Sequence, residues 1–400
     1  MEIEECVASF LEKVTPVSET ERVHITNACN RVAAEAVCVG HPVPAFPKSA
    51  MDGYAVCASD VEKASQETPV VLKVLGENCA GDCNELPYMP NSAVRVMTGA
   101  YIPDGFDAVI RQEDTDYGMD QVVIYASVKP YTNYCKIGED MKAGEAVLEK
   151  DCLITPLHIG LLASIGAESV EVYRPLKVAL VSTGSELTPI GTMLEKGKIY
   201  NSILYSLKAA IERENFCVSY EQMCADEEQE LERILLEAVD SADIVITTGG
   251  VSVGKKDLLP EILEKVGAQH LFTRANIQPG TPTIGSLLKG KPVLSLSGNP
   301  YAAIVNFEIY FWELVSVMTR NDSWKTVTTT AVLKSAYPKT NKLRRFVRAY
   351  EENGEVYLPV QIHASSVISN MTQCNCFIDI PAKTSVSVGD RVTIRKMRLC

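Results

Sequence analysis

The sequence predicts a multidomain protein of the α/β plus β class, with a central parallel α/β domain, β-rich split amino-terminal lobes and a small carboxyl-terminal β-barrel. A chain of 400 residues is long enough for roughly two to four domains. Between Lys177 and Val305, apolar runs end in polar glycine loops and lead into segments of helical periodicity, whereas the flanking regions show short alternating strands. These changes of pattern predict domains at 1–172, 173–322 and 323–400.

Composition favours a globular protein that binds small molecules. The chain is 46% hydrophobic and 22% charged, with a net charge of −13. Residues 323–400 hold 12 Lys and Arg against 5 Asp and Glu, which leaves 26 against 46 for residues 1–322. An acidic body argues against a nucleic-acid partner, and no segment approaches the ~18 apolar residues of a membrane helix. We therefore expect a cytoplasmic protein with neither kind of partner.

Thirteen cysteines are scattered along the chain without a Cys-x-x-Cys pair. A metal cluster or a thiol catalyst is one interpretation of them. Reduced cysteines that serve as small packing residues are the favoured interpretation.

The amino-terminal region is expected to form two interleaved lobes. Val7, Phe10 and Leu11 have helical spacing, and the prolines that follow lead into Ser49–Val56. Short alternating segments then predict a β-rich lobe of about 48–140. A helix over Pro156–Ile165 would return towards the first helix. The predicted strands are Val70–Leu75, Ala93–Met97, Ala108–Arg111 and Gln121–Ala126.

In the central region, three apolar strands each run into a polar loop. The loops contain Thr183 to Glu186, Gly249 to Asp257, and Ser297 to Asn299, and amphipathic helices are predicted over Asn201–Glu214 and Glu227–Val239. Unbroken apolar strands that alternate with helices indicate a parallel sheet covered on both faces. Ligands of such sheets bind beyond the carboxyl ends of the strands, so we expect the three loops to share one edge.

The second loop allows three interpretations. Its glycines and the following helix start favour an anion, and Asp257 adds a carboxylate, so phosphate with a divalent metal is the first. Gly249, Gly254 and Lys255 also match seven positions of a P-loop, but Lys256 stands where Ser or Thr must bind Mg²⁺. A structural turn that binds nothing is the third.

The carboxyl-terminal region shows short strands at the spacing of a small barrel. Arg344, Arg345 and Arg348 are either an anion clamp or solvated strand charges, and both interpretations stay open. The predicted strands are Thr326–Leu333, Phe346–Tyr350, Val356–Val360, Cys376–Ile380 and Arg391–Ile394.

Seven short motifs occur in order along nearly the whole sequence. They are Ser49–Val56, Arg95–Ala100, Asp107–Glu113, Gly138–Asp140, Ser182–Gly184 with Glu186 and Leu187, Thr247–Gly254 with Asp257, and Gly298–Pro300. On these motifs the sequence resembles the molybdopterin molybdenumtransferases, that is, bacterial MoeA and the carboxyl-terminal domain of gephyrin. The resemblance implies an elongated homodimer of four-domain subunits, with the site in a cleft between the α/β domain of one subunit and the amino-terminal lobes of the other. It also implies that the protein works with other cofactor-assembly proteins.

The resemblance implies insertion of molybdate into adenylated molybdopterin with Mg²⁺ and release of AMP. Hard oxygen ligands for Mg²⁺, and the catalytic carboxylates, would be Asp52, Asp140, Glu186 and Asp257, with Thr98 beside them. Molybdate would contact Pro282, Arg348 and Ser365. The pterin substrate would be held by the loops already described, at Thr183, Gly184, Gly249, Gly250, Ser252, Gly254, Lys255, Lys256, Ser297, Gly298 and Asn299.

Departures from the family pattern leave an alternative open. Gln278 and Thr281 stand where Lys-Pro-Gly-Lys-Pro is usual, so two cations expected near molybdate are missing. Lys255 and Lys256 are predicted to restore this charge from the neighbouring loop. The alternative is a non-catalytic paralogue or scaffold that binds molybdopterin. The other departures are Cys135 for Arg, Ser185 for Asp and Ser297 for Pro.

Overall fold

The chain forms two units in a computed structural model that describes residues 1–251, 258–337, 339–359, 365 and 367–399. The first unit contains Met1–Glu21 and Tyr173–Cys400, and the second contains Arg22–Val172. The first 21 residues thus fold with the carboxyl-terminal part of the chain. Their helix packs there because its apolar face is buried, with the rings of Phe10 and Phe272 5.5 Å apart. The finer domain boundaries stay predictions.

Six α-helices and several short 3₁₀ turns are present in the described residues. The helices begin and end close to the predicted positions, except that the first stops at Leu11. The 3₁₀ turns cover Ile25–Asn27, Ala58–Val61, Gln112–Asp114, Asp322–Trp324 and Ser369–Gln373. The α-helices are α1 (Ile3–Leu11), α2 (Pro156–Ser164), α3 (Ser202–Arg213), α4 (Glu228–Ser241), α5 (Leu259–Lys265) and α6 (Pro300–Met318).

The unit Arg22–Val172 is built around a five-stranded sheet. The alternating segments predicted four of its strands, and Gly53–Val56 is a fifth that they did not predict. Neighbouring strands of the sheet are antiparallel except for Val70–Asn78 and Ser92–Val96, which run parallel. Two-stranded sheets join Val37–Cys38 to Ala146–Leu148, and Lys48–Ser49 to Tyr134–Cys135. A further pair, Thr20–His24 with Ser169–Tyr173, contains both points at which the chain passes between units. The five strands, in sheet order, are Ala108–Arg111, Gly53–Val56, Ser92–Val96, Val70–Asn78 and Gln121–Ile124.

The other unit contains a six-stranded sheet that is parallel over four strands. The predicted strands at Lys177, Ile244 and Lys291 lie side by side, joined at one edge by a fourth parallel strand, Cys217–Cys224. Two antiparallel strands complete the other edge. The sequence pattern did not predict these last three strands. The sheet order is Cys217–Cys224, Lys177–Thr183, Ile244–Thr248, Lys291–Leu296, Ile284–Leu288 and Gln269–Phe272.

Both faces of this sheet are covered, which explains its unbroken apolar strands. Val178 and Leu180 pack into one core with α1, α3 and α6, whereas Ala179 and Val181 pack into another with α4 and α5. Because successive strand residues point to opposite faces, a strand covered on both faces carries apolar residues at consecutive positions. A short parallel pair, Leu187–Thr188 with Ile199–Tyr200, lies outside the main sheet.

Helix α6 is a core helix. Within the part of the chain that the structure describes, it alone has the length and apolar composition of a membrane span. However, 83% of its apolar stretch is buried inside the protein. Its one deeply buried carboxylate, Glu308, accepts hydrogen bonds from the Trp312 indole (3.1 Å) and from the backbone N–H groups of Arg398 (3.0 Å) and Leu399 (2.7 Å). Glu308 thereby anchors the end of the chain to the α/β domain.

The carboxyl-terminal strands close into the predicted small barrel. The ring runs Arg344–Glu352, Glu355–Tyr357, Thr328–Leu333, Arg391–Lys396 and Cys376–Ile380, and the last strand pairs again with the first. A short strand of the α/β domain, Ile277–Gln278, adds in parallel to Arg344–Glu352. This pairing brings the Gln278–Pro282 loop against the barrel.

Candidate active site

Three loops meet at the carboxyl edge of the parallel sheet. Thr183, Gly249 and Gly298 each follow the end of one of three adjacent parallel strands. A Cβ on Gly249 would lie 2.0 Å from the carbonyl oxygen of Thr183, and a Cβ on Gly298 would lie 3.5 Å from the Cα of Gly249. The predicted convergence of the three loops is therefore confirmed.

The close approach explains why glycine stands at the start of the second loop. Gly249 has φ +93° and Gly250 has φ +68°, a region that residues with a Cβ rarely adopt. The Gly249 N–H donates to the carbonyl of Leu296 (3.1 Å), which ties the second loop to the third strand. These glycines let two protein loops touch.

Asp226, which the sequence analysis did not identify, organises the first loop. Its carboxylate accepts hydrogen bonds from the Thr183 hydroxyl (2.7 Å) and from both the N–H and the hydroxyl of Ser185 (3.1 Å each). The Glu186 carboxylate folds back over Gly184, where a Cβ would lie 2.9 Å from it. Asp226 follows the unpredicted strand Cys217–Cys224, so only recognition of that strand would have placed it at this edge.

The third loop opens α6. The Ser297 hydroxyl oxygen accepts a hydrogen bond from the Asn299 N–H (3.2 Å), and the Asn299 side-chain oxygen accepts from the Ala302 N–H (3.1 Å). Asn299 is thus the N-cap of the helix, with Pro300 at its first position.

A cavity of about 320 Å³ lies beside this third loop, between the α/β domain and the barrel. It brings together Pro282, Ser297, Asn299 and Ser365, which the sequence analysis had assigned to molybdate or to the pterin. Its lining residues are Gln278, Pro279, Gly280, Thr281, Pro282, Ser297, Asn299, Tyr301, Ala302, Arg345 and Ser365.

The Gln278–Pro282 loop that lines this cavity is held rigidly. Gly280 has φ +98°, and a Cβ there would lie 2.4 Å from the Asn306 side-chain nitrogen. The Gly280 carbonyl accepts hydrogen bonds from that nitrogen (2.9 Å) and from the Thr283 hydroxyl (2.8 Å). The Thr281 hydroxyl donates to the Ile277 carbonyl (2.5 Å). Asn306, deep in α6, is a second positioning residue that the sequence did not reveal.

The three arginines predicted as one group have three different surroundings. Arg344 pairs with Asp379 and with Glu4 of α1, each at 2.7 Å. Arg348 is only 1% exposed, and its guanidinium donates to the Val367 carbonyl and to Asn370.

Arg348 also stacks 4.0 Å from the ring of Tyr301, and burial lowers its pKa. Of the three arginines, Arg345 alone lines the cavity. The group is therefore neither a clamp of three nor a set of solvated charges, and the role assigned to Arg348 stays a prediction.

In the unit Arg22–Val172, the structure brings Asp52 and Thr98 together. One Asp52 carboxylate oxygen accepts hydrogen bonds from the Thr98 N–H (2.7 Å) and the Thr98 hydroxyl (2.8 Å). These bonds, the backbone one first, lower the pKa of Asp52 below its ordinary value. Asp140 is exposed, and its backbone N–H donates to Val43 (3.0 Å).

The predicted Mg²⁺ ligands are not assembled by the described residues alone. Those residues contain no group of three or more His, Cys, Asp or Glu that could hold a metal ion. Asp257 lies outside the described residues, as do Ser252, Gly254, Lys255 and Lys256. The Mg²⁺ set and the compensating lysines therefore stay predictions. Oxygen ligands with an ionised Asp52 are the donor chemistry that suits Mg²⁺.

Three family descriptions match successive parts of the chain. Residues 1–166 match "MoeA N-terminal region (domain I and II)", residues 179–316 match "Probable molybdopterin binding domain", and residues 330–396 match "MoeA C-terminal region (domain IV)".

Full-length relatives agree with these matches. The molybdopterin molybdenumtransferase of Haemophilus influenzae is 36% identical over 98% of this chain and 97% of its own length, and that of Bacillus subtilis is 36% identical over 94% and 92%. The solved molybdopterin biosynthesis moeA protein of Pyrococcus horikoshii is 27% identical, with a TM-score of 0.83 over 99% of both chains. The chain therefore belongs to the MoeA family of molybdopterin molybdenumtransferases.

Proposed function

We propose that the protein is a transferase that inserts molybdate into adenylated molybdopterin and releases AMP, a step of molybdenum cofactor biosynthesis. The observation that carries the proposal is the meeting of three strand-end loops beside a polar cavity with an arginine in its wall. Relatives that share the full length of the chain bear the matching name. These relatives do not favour the alternative of a non-catalytic scaffold.

The three loops are suited to hold the phosphate groups of the pterin substrate. The Gly249 N–H is already donated to the Leu296 carbonyl, so the backbone N–H groups of Gly250 and Gly298 are the ones proposed to meet the phosphates. Helix α6 adds the positive end of its dipole at the third loop. Asp226 keeps the Thr183 loop in place. A loop that is held by its own hydrogen bonds needs little rearrangement, so it binds an anion at a low entropic cost.

We propose that Mg²⁺ joins the substrate at Asp52, Asp140, Glu186 and Asp257. When bound, the ion would neutralise the charge of the pyrophosphate. The two Thr98 hydrogen bonds fix the position of the Asp52 carboxylate, which would be one of the oxygen ligands. We further propose that the protein is a cytoplasmic homodimer, and sedimentation analysis can measure the mass of the dimer. Another cofactor-assembly protein would supply the adenylated pterin.

The decisive experiment gives the purified chain adenylated molybdopterin, molybdate and Mg²⁺ and measures AMP by chromatography. We expect AMP release that requires both molybdate and the metal, and that a chelator abolishes. Asp52→Asn should abolish release, whereas the matched variant Asp120→Asn, at another exposed aspartate, should not. Tight pterin binding without AMP release would support a scaffold instead, and hydrolysis of ATP alone would support an NTPase.

A further inference from the structure

We propose that Arg345 supplies the positive charge with which the cavity binds a tetrahedral oxyanion, in place of the two lysines that the Gln278–Pro282 loop lacks. The inference rests on the proposed function, because molybdate is the oxyanion that the reaction would consume. The compensating charge would then come from the barrel and not from Lys255 and Lys256 in the second loop of the α/β domain.

The strand pairing places Arg345 next to the altered loop. Gln278 is the register partner of Arg345 where Ile277–Gln278 adds to Arg344–Glu352. Neighbouring strands lie about 5 Å apart, so a cation on either position can reach the same space. Both residues line the cavity. A charge lost from one strand of this pair can therefore be replaced from the other.

Arg345 carries the one charged side chain among the described residues that line the cavity. The described part of the chain gives it no ion-pair partner, whereas Arg344 and Arg395 both pair with Asp379. Its Nη1 donates a long hydrogen bond to Asn341 (3.3 Å), and its Nε is buried without a hydrogen-bond partner. A half-buried guanidinium that lacks a counter-ion favours the binding of an anion.

The rest of the cavity wall supplies neutral donors that complement this charge. The Ser297 hydroxyl oxygen accepts from the Asn299 N–H, so its own proton is available to a ligand. Ser365 is exposed and contributes a second hydroxyl. The Thr281 hydroxyl does not add a third donor, because it already donates its hydrogen bond to the Ile277 carbonyl. A planar guanidinium fork with two hydroxyls matches the oxygen edges of a tetrahedral oxyanion.

The test measures molybdate binding to the full-length protein, without pterin, by equilibrium dialysis and metal analysis. Loss of a charge-assisted hydrogen bond predicts that Arg345→Gln weakens binding about 10- to 100-fold. Arg345→Lys keeps the charge without the fork and should lose less. Adding Gln278→Lys and Thr281→Lys to Arg345→Gln should restore most of the affinity. Parallel titrations with tungstate and sulfate test whether other oxyanions use the same arginine.

The matched control is Arg391→Gln, which removes an exposed barrel arginine that donates to Thr330. This control should bind molybdate as the natural chain does. Arg345→Gln with unchanged affinity would overturn the inference. If Arg345→Gln does not fold, Arg345→Met removes the same charge, and unchanged affinity in that variant would overturn the inference equally. Failure of the natural chain to release AMP is a separate result, which would refute the proposed function while the dialysis still reports on Arg345.

Discussion

Replacing Gly249 with Ala tests whether the loops at the sheet edge are packed as described. The new Cβ would lie 2.0 Å from the Thr183 carbonyl oxygen, at least 1 Å closer than real contacts allow. Neither atom can rotate away, because the backbone of residue 249 fixes the Cβ and the oxygen is itself a backbone atom. The φ of +93° adds strain of about 1–2 kcal/mol. Overpacking of a close contact adds about 1–3 kcal/mol. The variant should therefore lose about 2–5 kcal/mol of unfolding free energy.

Gly267→Ala is the matched control, because Gly267 has φ +85° but nothing within 4 Å of its would-be Cβ. It should lose only the strain of about 1–2 kcal/mol. Urea unfolding followed by tryptophan fluorescence is the assay, since the chain has two tryptophans, Trp312 and Trp324, and both lie in the unit that contains the α/β sheet. Equal losses in the two variants would refute the close approach of the loops.

Three further predictions concern single side chains. Asp226→Ala frees Thr183 and its loop, so kcat/KM for the adenylated pterin should fall about 10- to 100-fold, as expected for a displaced binding group. Burial raises the pKa of Glu308 to about 7 from its ordinary value of 4.5. The folded state therefore favours the protonated form, so the free energy of unfolding should be highest below pH 4.5 and fall by about 3 kcal/mol as the pH rises from 4.5 to about 7. Urea titrations across this range measure the fall, which Glu308→Gln should remove. Thr98→Val removes one hydrogen bond that lowers the pKa of Asp52, so the acidic limb of the AMP-release profile should move to higher pH; an unmoved limb would contradict this role.

The elements that sequence analysis predicted are those whose signal is local. The strand Lys177–Thr183 is predicted by its apolar run, because a strand covered on both faces needs apolar residues on both. Helices α3 and α4 are predicted by their amphipathic periodicity, and α6 by the strand and loop that lead into it. The three strands of the six-stranded sheet that were not predicted have weaker hydrophobic patterns. Cys217–Cys224 lies at the sheet edge and stays half exposed, so its sequence lacks the apolar run of a central strand.

The candidate site was predicted only in part, because only some of its residues carry a local sequence signal. Strand ends mark the three loops, so their shared edge followed from the parallel topology. Asp226 and Asn306 could not be found, because each stabilises a loop that lies 20 or more residues away in sequence. Such contacts depend on which elements become neighbours, and no local pattern records this.

The sequence by itself determined the class of fold, the glycine loops and the family, because hydrophobic periodicity and short motifs are written residue by residue. Only the tertiary structure decided which arginine faces the cavity. Successive residues of a strand point to opposite sides, so Phe346 packs against α6 while Val347 enters the barrel core. Where each side chain then arrives depends on the distant partner that packs there, which for Arg344 is Asp379, for Arg348 is Asn370, and for Arg345 is the open cavity.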